Sequence, residues 1–255
     1  MRRWILGLAV ALVSAGAAAA DDKAVAVVKK AIQAHGGADT LDKYKAGRFK
    51  LTGDIVIAET EVEFSGSVAY HLPDRFRLTM SGMYMGEKLL IEQVVNGDKI
   101  RNTVRLGDMD ISPNGEDDKE EVKFGVVLQE AEQLTPLLDA KKFTLKAADD
   151  ADVDGKKAAV VVAQPSAVKR EIKMYFDKES GLLVKTANRG RITGDDGQSK
   201  EVDEETYGSG YKAVNGMQVP TKLVINHDGK KFMSMELTDI EVLEKIGARE
   251  FTTDD

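Results

Sequence analysis

Cysteine is absent from the 255 residues of this chain, and its absence narrows the function more than any other feature of the composition. Without a thiol there is no disulfide, no thiol catalysis and no lipid-modified N-terminal cysteine. The stability of the fold must come from packing and hydrogen bonding.

Histidine is also scarce. His35, His71 and His227 fall in three separate predicted elements, and none has a second histidine at metal-ligand spacing. His35 ends a predicted helix, where an imidazolium ion would suit the helix dipole. The other two precede predicted turns. No histidine-based metal site is predicted.

Sequence motifs of common catalytic sites are missing as well. No serine lies in a G-x-S-x-G frame, and no Gly-Lys pair belongs to a Walker loop. Gly208, Gly210 and Ala213 have the spacing of a dinucleotide loop, but the turn Asn215-Gly216 follows where a helix is needed. We predict a protein that is not an enzyme and has no cofactor.

Two acidic strings resemble cation sites, and we interpret both as turns. Asp150, Asp152 and Asp154 match the first half of an EF-hand loop, but Val161 stands where that loop needs a bidentate acid. The string DKESG at 177–181 could hold a hard cation or simply reverse the chain. Its final glycine suits a tight connection between two strands. No metal is expected.

The N-terminal segment has the pattern of a secretory signal peptide. Two arginines precede an apolar run that begins at Trp4, and small residues end at Ala20. The alternative is an uncleaved anchor, but the run is shorter than the roughly 20 apolar residues that a bilayer requires. We expect cleavage after Ala20, leaving residues 21–255 in the periplasm or, alternatively, secreted.

Charge and hydropathy then limit the partners. Residues 21–255 carry 34 basic and 43 acidic side chains, a net charge of −9. An acidic surface disfavours nucleic acid, whose phosphates require basic groups. No later segment is apolar enough to span a membrane. We expect one domain over residues 21–255, acting as a monomer.

The hydrophobic spacing predicts a mainly β (α+β) fold. Val25, Val28 and Ile32 recur at helical spacing before Gly36-Gly37, and a short helical turn follows over 38–44. Alternating apolar and polar residues then predict about 11 antiparallel strands in an open half-barrel. One helical segment interrupts them at 117–138, and six of its residues fall on one apolar stripe: Phe124, Val127, Leu128, Ala131, Leu134 and Leu138.

Methionine is the one abundant soft residue near these patterns. Methionine adapts to irregular partners and is frequent on promiscuous binding surfaces, although ordinary core packing explains it equally well. Our candidate pocket and lid residues are Met80, Met83, Tyr84, Met85, Phe124, Val127, Leu128, Ala131, Leu134, Met174, Phe176, Met233 and Met235.

The order of these elements resembles the exported outer-membrane lipoprotein-sorting family, related to the periplasmic lipoprotein carrier and its outer-membrane receptor. The resemblance lies in AIQAHGGADTLDKYK, GRFKLTGDIV, YHLPDRFRLTM, VVNGDKI, MYFDKESGLLVK, YKAVNGMQVPTKL and MELTDIEV, and spans about residues 23–242. It implies an open half-barrel with helices as a lid over an apolar concavity, which carries lipid or acyl ligands without catalysis.

This chain also departs from the carrier. The carrier is shorter and rich in tryptophan, whereas residues 21–255 contain none. Arg75 and Arg77 fall in the strand that would hold the carrier's lid-locking arginine, the alternative being two solvated side chains. The leading hypothesis is a carrier for a lipoprotein acyl chain or another amphiphile. The alternative is an envelope-sensing or protein-interaction module on the same fold.

Overall fold

The computed structural model describes residues 21–113, 115–193 and 199–252, so the predicted signal peptide lies outside the described residues. The helices are α1 (Asp22–Ala34), α2 (Ala38–Lys43) and α3 (Glu116–Glu132), with 3-10 turns at Thr135–Leu138 and Ala248–Phe251. Within the described ranges, no helix combines the length and the apolar character needed to cross a membrane.

Fifteen strands are described: β1 (Ala46–Ile57), β2 (Thr60–His71), β3 (Arg75–Tyr84), β4 (Glu87–Asn96), β5 (Lys99–Leu106), β6 (Met109–Asp110), β7 (Phe143–Val153), β8 (Lys156–Pro165), β9 (Ile172–Asp177), β10 (Leu183–Thr193), β11 (Ser199–Ser209), β12 (Lys212–Val214), β13 (Met217–Val219), β14 (Lys222–His227) and β15 (Lys230–Leu243). Thirteen of them form one antiparallel sheet in the order β6-β5-β4-β3-β2-β1-β15-β14-β11-β10-β9-β8-β7, and β12 and β13 form a separate hairpin.

The predicted open antiparallel fold is confirmed, with more strands than expected. The sheet does not close, because its edge strands β6 and β7 do not pair with each other. One strand predicted over 218–226 is divided into β13 and β14. Pro220 lies between them, and a proline has no N–H to continue a ladder.

One cross-strand row shows which side chains share a face. Starting from β7, the paired residues in the row are Ala147, Val161, Met174, Thr186, Thr206, Ile225, Met233, Ile55 and Val62. Paired residues project to the same side of a sheet. We call this side the inner face. It is apolar at both ends of the row and polar at Thr186 and Thr206.

The helices pack on one end of the inner face. Here α1, α2, α3 and the turn Thr135–Leu138 bury a core against β7, β8, β9 and the start of β10. The α1 helix begins at this end because Asp21 caps it, accepting from Lys23 N–H at 2.8 Å and from Ala147 N–H of β7 at 3.0 Å. We call this core cluster 1.

A second core lies at the other end of the same face. Its buried members are Leu51, Ile55, Val62, Phe64, Val68, Met80 and Met233, from β1, β2, β3 and β15. We call it cluster 2. Within the described ranges, no helix makes an extensive approach to these strands except the turn Ala248–Phe251, which meets β3 and β4.

The central helix ends earlier than predicted. Its regular part stops at Glu132, and Leu134 takes a positive φ of 67° before Pro136 begins the 3-10 turn. This break rotates the stripe, so Leu137 is buried and Leu138 is 39% exposed. The prediction that Leu138 faces the core is therefore wrong.

The string at 177–181 is a turn, as predicted, whereas Asp150 and Asp152 of the other string lie in β7 and only its end forms a turn. In the 177–181 segment, Ser180 donates to the Asp177 carboxylate from its N–H (2.6 Å) and its hydroxyl (2.7 Å), and Gly181 has φ 77°. These hydrogen bonds, with the Ser180 hydroxyl first, lower the pKa of Asp177. Asp154-Gly155 connects β7 to β8 as a two-residue turn.

The end of α1 requires a glycine, and we predict that Gly36→Ala is strongly destabilising. Gly36 has φ 122°, and a Cβ there would lie 2.3 Å from the Gly216 carbonyl oxygen in the β12–β13 turn. We expect the free energy of unfolding to fall by at least about 2 kcal/mol in urea denaturation, because backbone strain of 1–3 kcal/mol adds to the clash. Gly97→Ala is the control, since its φ is also positive (61°) but no atom lies within 4 Å. It should cost roughly 1 kcal/mol, and equal losses would contradict the proposed clash.

Candidate functional site

The inner face beyond the helices carries a half-exposed apolar surface. Ten partly buried side chains pack against cluster 2 there: Phe49, Ile57, Tyr70, Phe76, Leu78, Tyr84, Ile91, Ile225, Phe232 and Met235. We call these ten residues the apolar surface. Strand alternation places nine of them on the inner face, and the irregular register between β14 and β15 brings Phe232 to the same face, where it stacks on His227. Water reaches them because the helices cover the other end of the sheet.

The structure divides the thirteen predicted pocket and lid residues into three groups. Phe124, Val127, Leu128, Ala131, Leu134, Met174 and Phe176 belong to cluster 1 or pack against it, whereas Met80, Tyr84, Met233 and Met235 belong to cluster 2 or its apolar surface. Met83 and Met85 lie in neither cluster and are 61% and 83% exposed. Met174 and Phe176 are fully buried under the helices, so a ligand would reach them only if the helices moved.

Arg170 holds the N-terminal half of α3 to the sheet. Its guanidinium donates to both oxygens of Glu121, one of them at 2.7 Å, and lies 4.2 Å from the centre of the Phe124 ring. The other end of the helix is also fixed, because Gln133 donates to the carbonyl oxygens of Leu41 (2.6 Å) and Tyr44 (3.2 Å). The bidentate pairing of Arg170 with Glu121 is strong and directional.

Arg75 and Arg77, the two arginines considered from the resemblance, have their recorded partners away from α3. Arg77 donates to Glu92 at 2.6 Å and to the carbonyl oxygens of Glu250 and Thr252, which places it against the C-terminal 3-10 turn. Arg75 lies 4.0 Å from Asp74. In the structure, two other arginines pair with α3: Arg170, from the segment between β8 and β9, with Glu121, and Arg191 of β10 with Glu120 at 3.6 Å.

A cleft beside α3 is lined mainly by polar and charged side chains. It has a volume of about 1360 Å³, with Phe124 and Arg170 on one side and Asn188 and Glu204 on the other. It continues past the start of β9, where β10 extends without a β9 partner. The polar and charged lining of this cleft differs from the apolar concavity that the resemblance implies beneath the helix.

A polar strip crosses the inner face between the two clusters. Asn188, Glu204 and His227 stand directly opposite one another on β10, β11 and β14. Asn188 Nδ2 donates to Glu204 Oε1 at 3.3 Å, and His227 Nε2 lies 3.1 Å from Glu204 Oε2. With Thr186 and Thr206 of the adjacent row, these five residues form what we call the polar strip.

The polar strip connects directly to the apolar surface. The His227 ring stacks on Phe232 with centroids 4.0 Å apart and an interplanar angle of 16°. Ile225, two residues before His227, belongs to the apolar surface. A ligand lying along the sheet would therefore meet apolar side chains first and the Glu204 carboxylate at their end.

Two glutamates at the polar strip have opposite pKa shifts. Desolvation opposes ionisation of Glu204, but hydrogen bonds from His227 and Asn188 outweigh it and lower the pKa of Glu204. Glu132, the last residue of α3, is exposed to solvent. Desolvation, with repulsion from Glu204, raises the pKa of Glu132 to about 7.

His35 has the predicted position and not the predicted charge. It follows α1, where Nδ1 donates to the Ala31 carbonyl oxygen at 2.8 Å and Nε2 accepts from Leu183 N–H at 3.4 Å. Accepting at Nε2 requires a neutral ring, and burial lowers the pKa of His35. The expectation of an imidazolium ion at the helix end is wrong, because the helix end is buried.

Sequence reasoning missed Glu204 and His227 as members of a site. Glu204 belongs to a strand with alternating charges, and His227 precedes an Asp-Gly turn, so both resemble surface residues. A signal was present in β10, where Thr186, Asn188 and Gly190 occupy three successive positions of the inner face. Polar residues at inward positions of a strand depart from the pattern expected of a core.

Known structures share this architecture. A DUF1329 family protein from Desulfovibrio piger matches with a TM-score of 0.52 and 11% identity, covering 90% of this chain and 97% of that one. A LolA superfamily protein from Nitrosomonas europaea matches with a TM-score of 0.50 and 9% identity, covering 90% and 97%. An outer membrane lipoprotein-sorting protein domain from Vibrio parahaemolyticus matches with a TM-score of 0.49 and 10% identity, covering 90% of this chain and 96% of that one.

The chain has a LolA-like fold. This agrees with the resemblance read from the sequence. The sequence matches no protein-family model and no curated protein. At identities of 9–11%, the structural likeness shows the fold alone.

The raised pKa of Glu132 predicts that Glu132→Gln stabilises the protein at high pH. An ordinary glutamate ionises near 4.5 in the unfolded chain, whereas Glu132 ionises near 7 in the folded one. The folded state therefore binds more protons between these values, and wild-type stability is lost as the pH rises through 7. Urea denaturation should show a variant advantage that is absent at pH 4 and largest at pH 8.

Glu130→Gln serves as the control for this measurement. It removes a charge from the same helix, where Glu130 accepts from Lys142 Nζ at 2.5 Å. A constant difference between Glu132→Gln and wild type across pH 4–8 would show that Glu132 ionises normally.

Proposed function

We propose that this chain is an exported, non-catalytic binding protein that holds an acyl chain or another hydrophobic ligand on the apolar surface. One observation supports this most strongly. Ten half-exposed apolar side chains lie together on the inner face, in strands that the helices do not cover. A contiguous apolar patch that water can reach is a common feature of ligand and partner sites on soluble proteins. A periplasmic location and a monomeric state are part of the proposal.

The chemistry of the apolar surface suits an alkyl chain. Burying a methylene group is worth about 0.8 kcal/mol, so a chain of ten or more carbons gains enough to offset the cost of association. Met80, Met233 and Met235 contribute flexible thioether side chains that can adapt to ligands of different shape. The lipoprotein-sorting protein named among the structural neighbours makes a lipoprotein acyl chain one candidate ligand.

Binding of a fluorescent apolar probe tests this proposal. N-phenyl-1-naphthylamine should bind to the wild-type protein and be displaced by decanoic acid or decanol. Leu78→Gln and Met235→Gln change half-exposed members of the apolar surface, and each should weaken binding roughly five- to tenfold, because about 1 kcal/mol of apolar contact is lost.

Leu138→Gln is the matched control. Leu138 is also exposed but lies outside both clusters, so its replacement should leave probe affinity unchanged. Failure of the wild-type protein to bind any apolar probe, or equal losses in all three variants, would refute the proposed function.

A second candidate function is a protein-interaction module, and an exposed corner of the sheet favours it. Met83 and Met85 end the β3–β4 hairpin, and Met109 and Ile111 lie at and just after the adjacent β6. Met109 and Ile111 are 60% and 52% exposed. Four exposed apolar side chains at one corner could contact a partner protein without any ligand on the inner face.

Site-specific photocrosslinking in cells distinguishes this candidate. A photoreactive residue at position 85 should give a discrete protein adduct if the corner is an interface, because Met85 is the most exposed of the four. The same residue at position 138 should give none. Absence of any protein adduct at position 85 would remove the second candidate.

A further inference from the structure

We infer that the polar strip is a head-group site, and that the hydrophobic ligand it selects carries a primary ammonium group. This inference rests on the proposed function, because the polar strip adjoins the apolar surface. It adds the chemical class of the ligand. The argument depends on the charge, the hydrogen-bonding capacity and the position of the polar strip.

The charge at the polar strip is negative. Glu204 faces inward, and Glu132 approaches it from α3 closely enough for repulsion between the two carboxylates. Arg170 is a nearby cation whose charge helps to lower the pKa of Glu204, but its guanidinium already pairs with both oxygens of Glu121 and lies over Phe124. A carboxylate in a desolvated position favours a cationic partner.

Two polar atoms at the polar strip have free hydrogen-bonding capacity: a threonine hydroxyl, which can accept or donate, and an amide oxygen, which can only accept. Thr186 is 2% exposed, and within the described ranges its Oγ1 has no hydrogen-bond partner. Asn188 Oδ1 is likewise buried and unpaired among the described residues, because the amide uses its nitrogen for Glu204. An unmade hydrogen bond at a buried polar atom costs free energy, so such atoms point to a missing partner.

An ammonium group matches this arrangement. It has three N–H donors and no acceptor, and its positive charge would neutralise the negative charge of the Glu204 carboxylate. A carboxylate head group would place a second negative charge beside Glu204 and could donate nothing to Asn188 Oδ1. A hydroxyl group could donate one hydrogen bond but would leave the Glu204 charge unneutralised.

The position of the polar strip gives the ligand its orientation. His227 bridges the two regions, because it contacts Glu204 on one side and stacks on Phe232 on the other. An alkyl chain on the apolar surface would therefore end beside Glu204. The class of ligand is a single-chain or lipid amphiphile with a terminal primary amine.

Competition among three matched ligands tests the inference. Decylammonium, decanol and decanoate share one alkyl chain and differ in the head group, and each can displace N-phenyl-1-naphthylamine below its micelle concentration. We expect decylammonium to bind roughly tenfold more tightly than decanol, because charge-assisted hydrogen bonds are about twice as strong as neutral ones. Decanoate should bind more weakly than decanol.

Three variants test whether the polar strip is the source of a preference for decylammonium. Glu204→Gln should abolish the advantage of decylammonium over decanol. Glu205→Gln is the control, because this neighbour projects to the opposite face, where it pairs with Lys185 at 2.5 Å. Asn188→Ala provides a second variant should Glu204→Gln fold poorly, and it should reduce the same advantage.

The outcomes separate this inference from the proposed function. Decanoate binding as tightly as decylammonium or more tightly overturns the inference. So does a preference for decylammonium that survives Glu204→Gln. In both cases decanol binding would still support the proposed function. If no ten-carbon ligand binds but propylammonium does, the polar strip is supported and the proposed function fails. If neither the ten-carbon ligands nor propylammonium bind, both the inference and the proposed function are refuted.

Discussion

The inner face of the sheet is wider than the helical layer that packs on it, and the rest of the structure follows from this mismatch. Thirteen strands present one continuous face, while α1, α2 and α3 bury only the end formed by β7 to β10. The strands at the other end must bury their apolar side chains against one another, and ten of those side chains keep part of their area in water. The open sheet therefore stabilises the fold at one end and leaves the apolar surface partly open to water at the other.

The boundary between the two ends is polar because neither core extends across it. Thr186, Asn188 and Glu204 occupy inward positions that a continuous core would fill with apolar side chains. Buried polar groups cost stability unless they are paired, and at this boundary Thr186 Oγ1 and Asn188 Oδ1 have no hydrogen-bond partner among the described residues. Proteins retain such costs mainly where a ligand or partner is bound.

Much of the fold was predictable from local pattern. The first helix, the alternating strands and the turns at 154–155 and 177–181 depend on spacing, glycine and asparagine or aspartate chemistry, all of which act over a few residues. The errors have a common origin. Leu138 follows a break at Leu134, and His35 is buried by distant segments, so neither outcome could be inferred from neighbours in sequence.

The sequence by itself determined the secondary structure, the absence of thiol chemistry and the side of each strand on which apolar residues lie. It could not determine what covers those residues, because period-two alternation specifies a face and contains no information about its partner. Only the tertiary structure decided that Met174 and Phe176 lie beneath helices while Tyr84 and Met235 remain open to water. Only the register between strands brought Asn188, Glu204 and His227 into one row, because residues far apart in the chain become neighbours through cross-strand pairing.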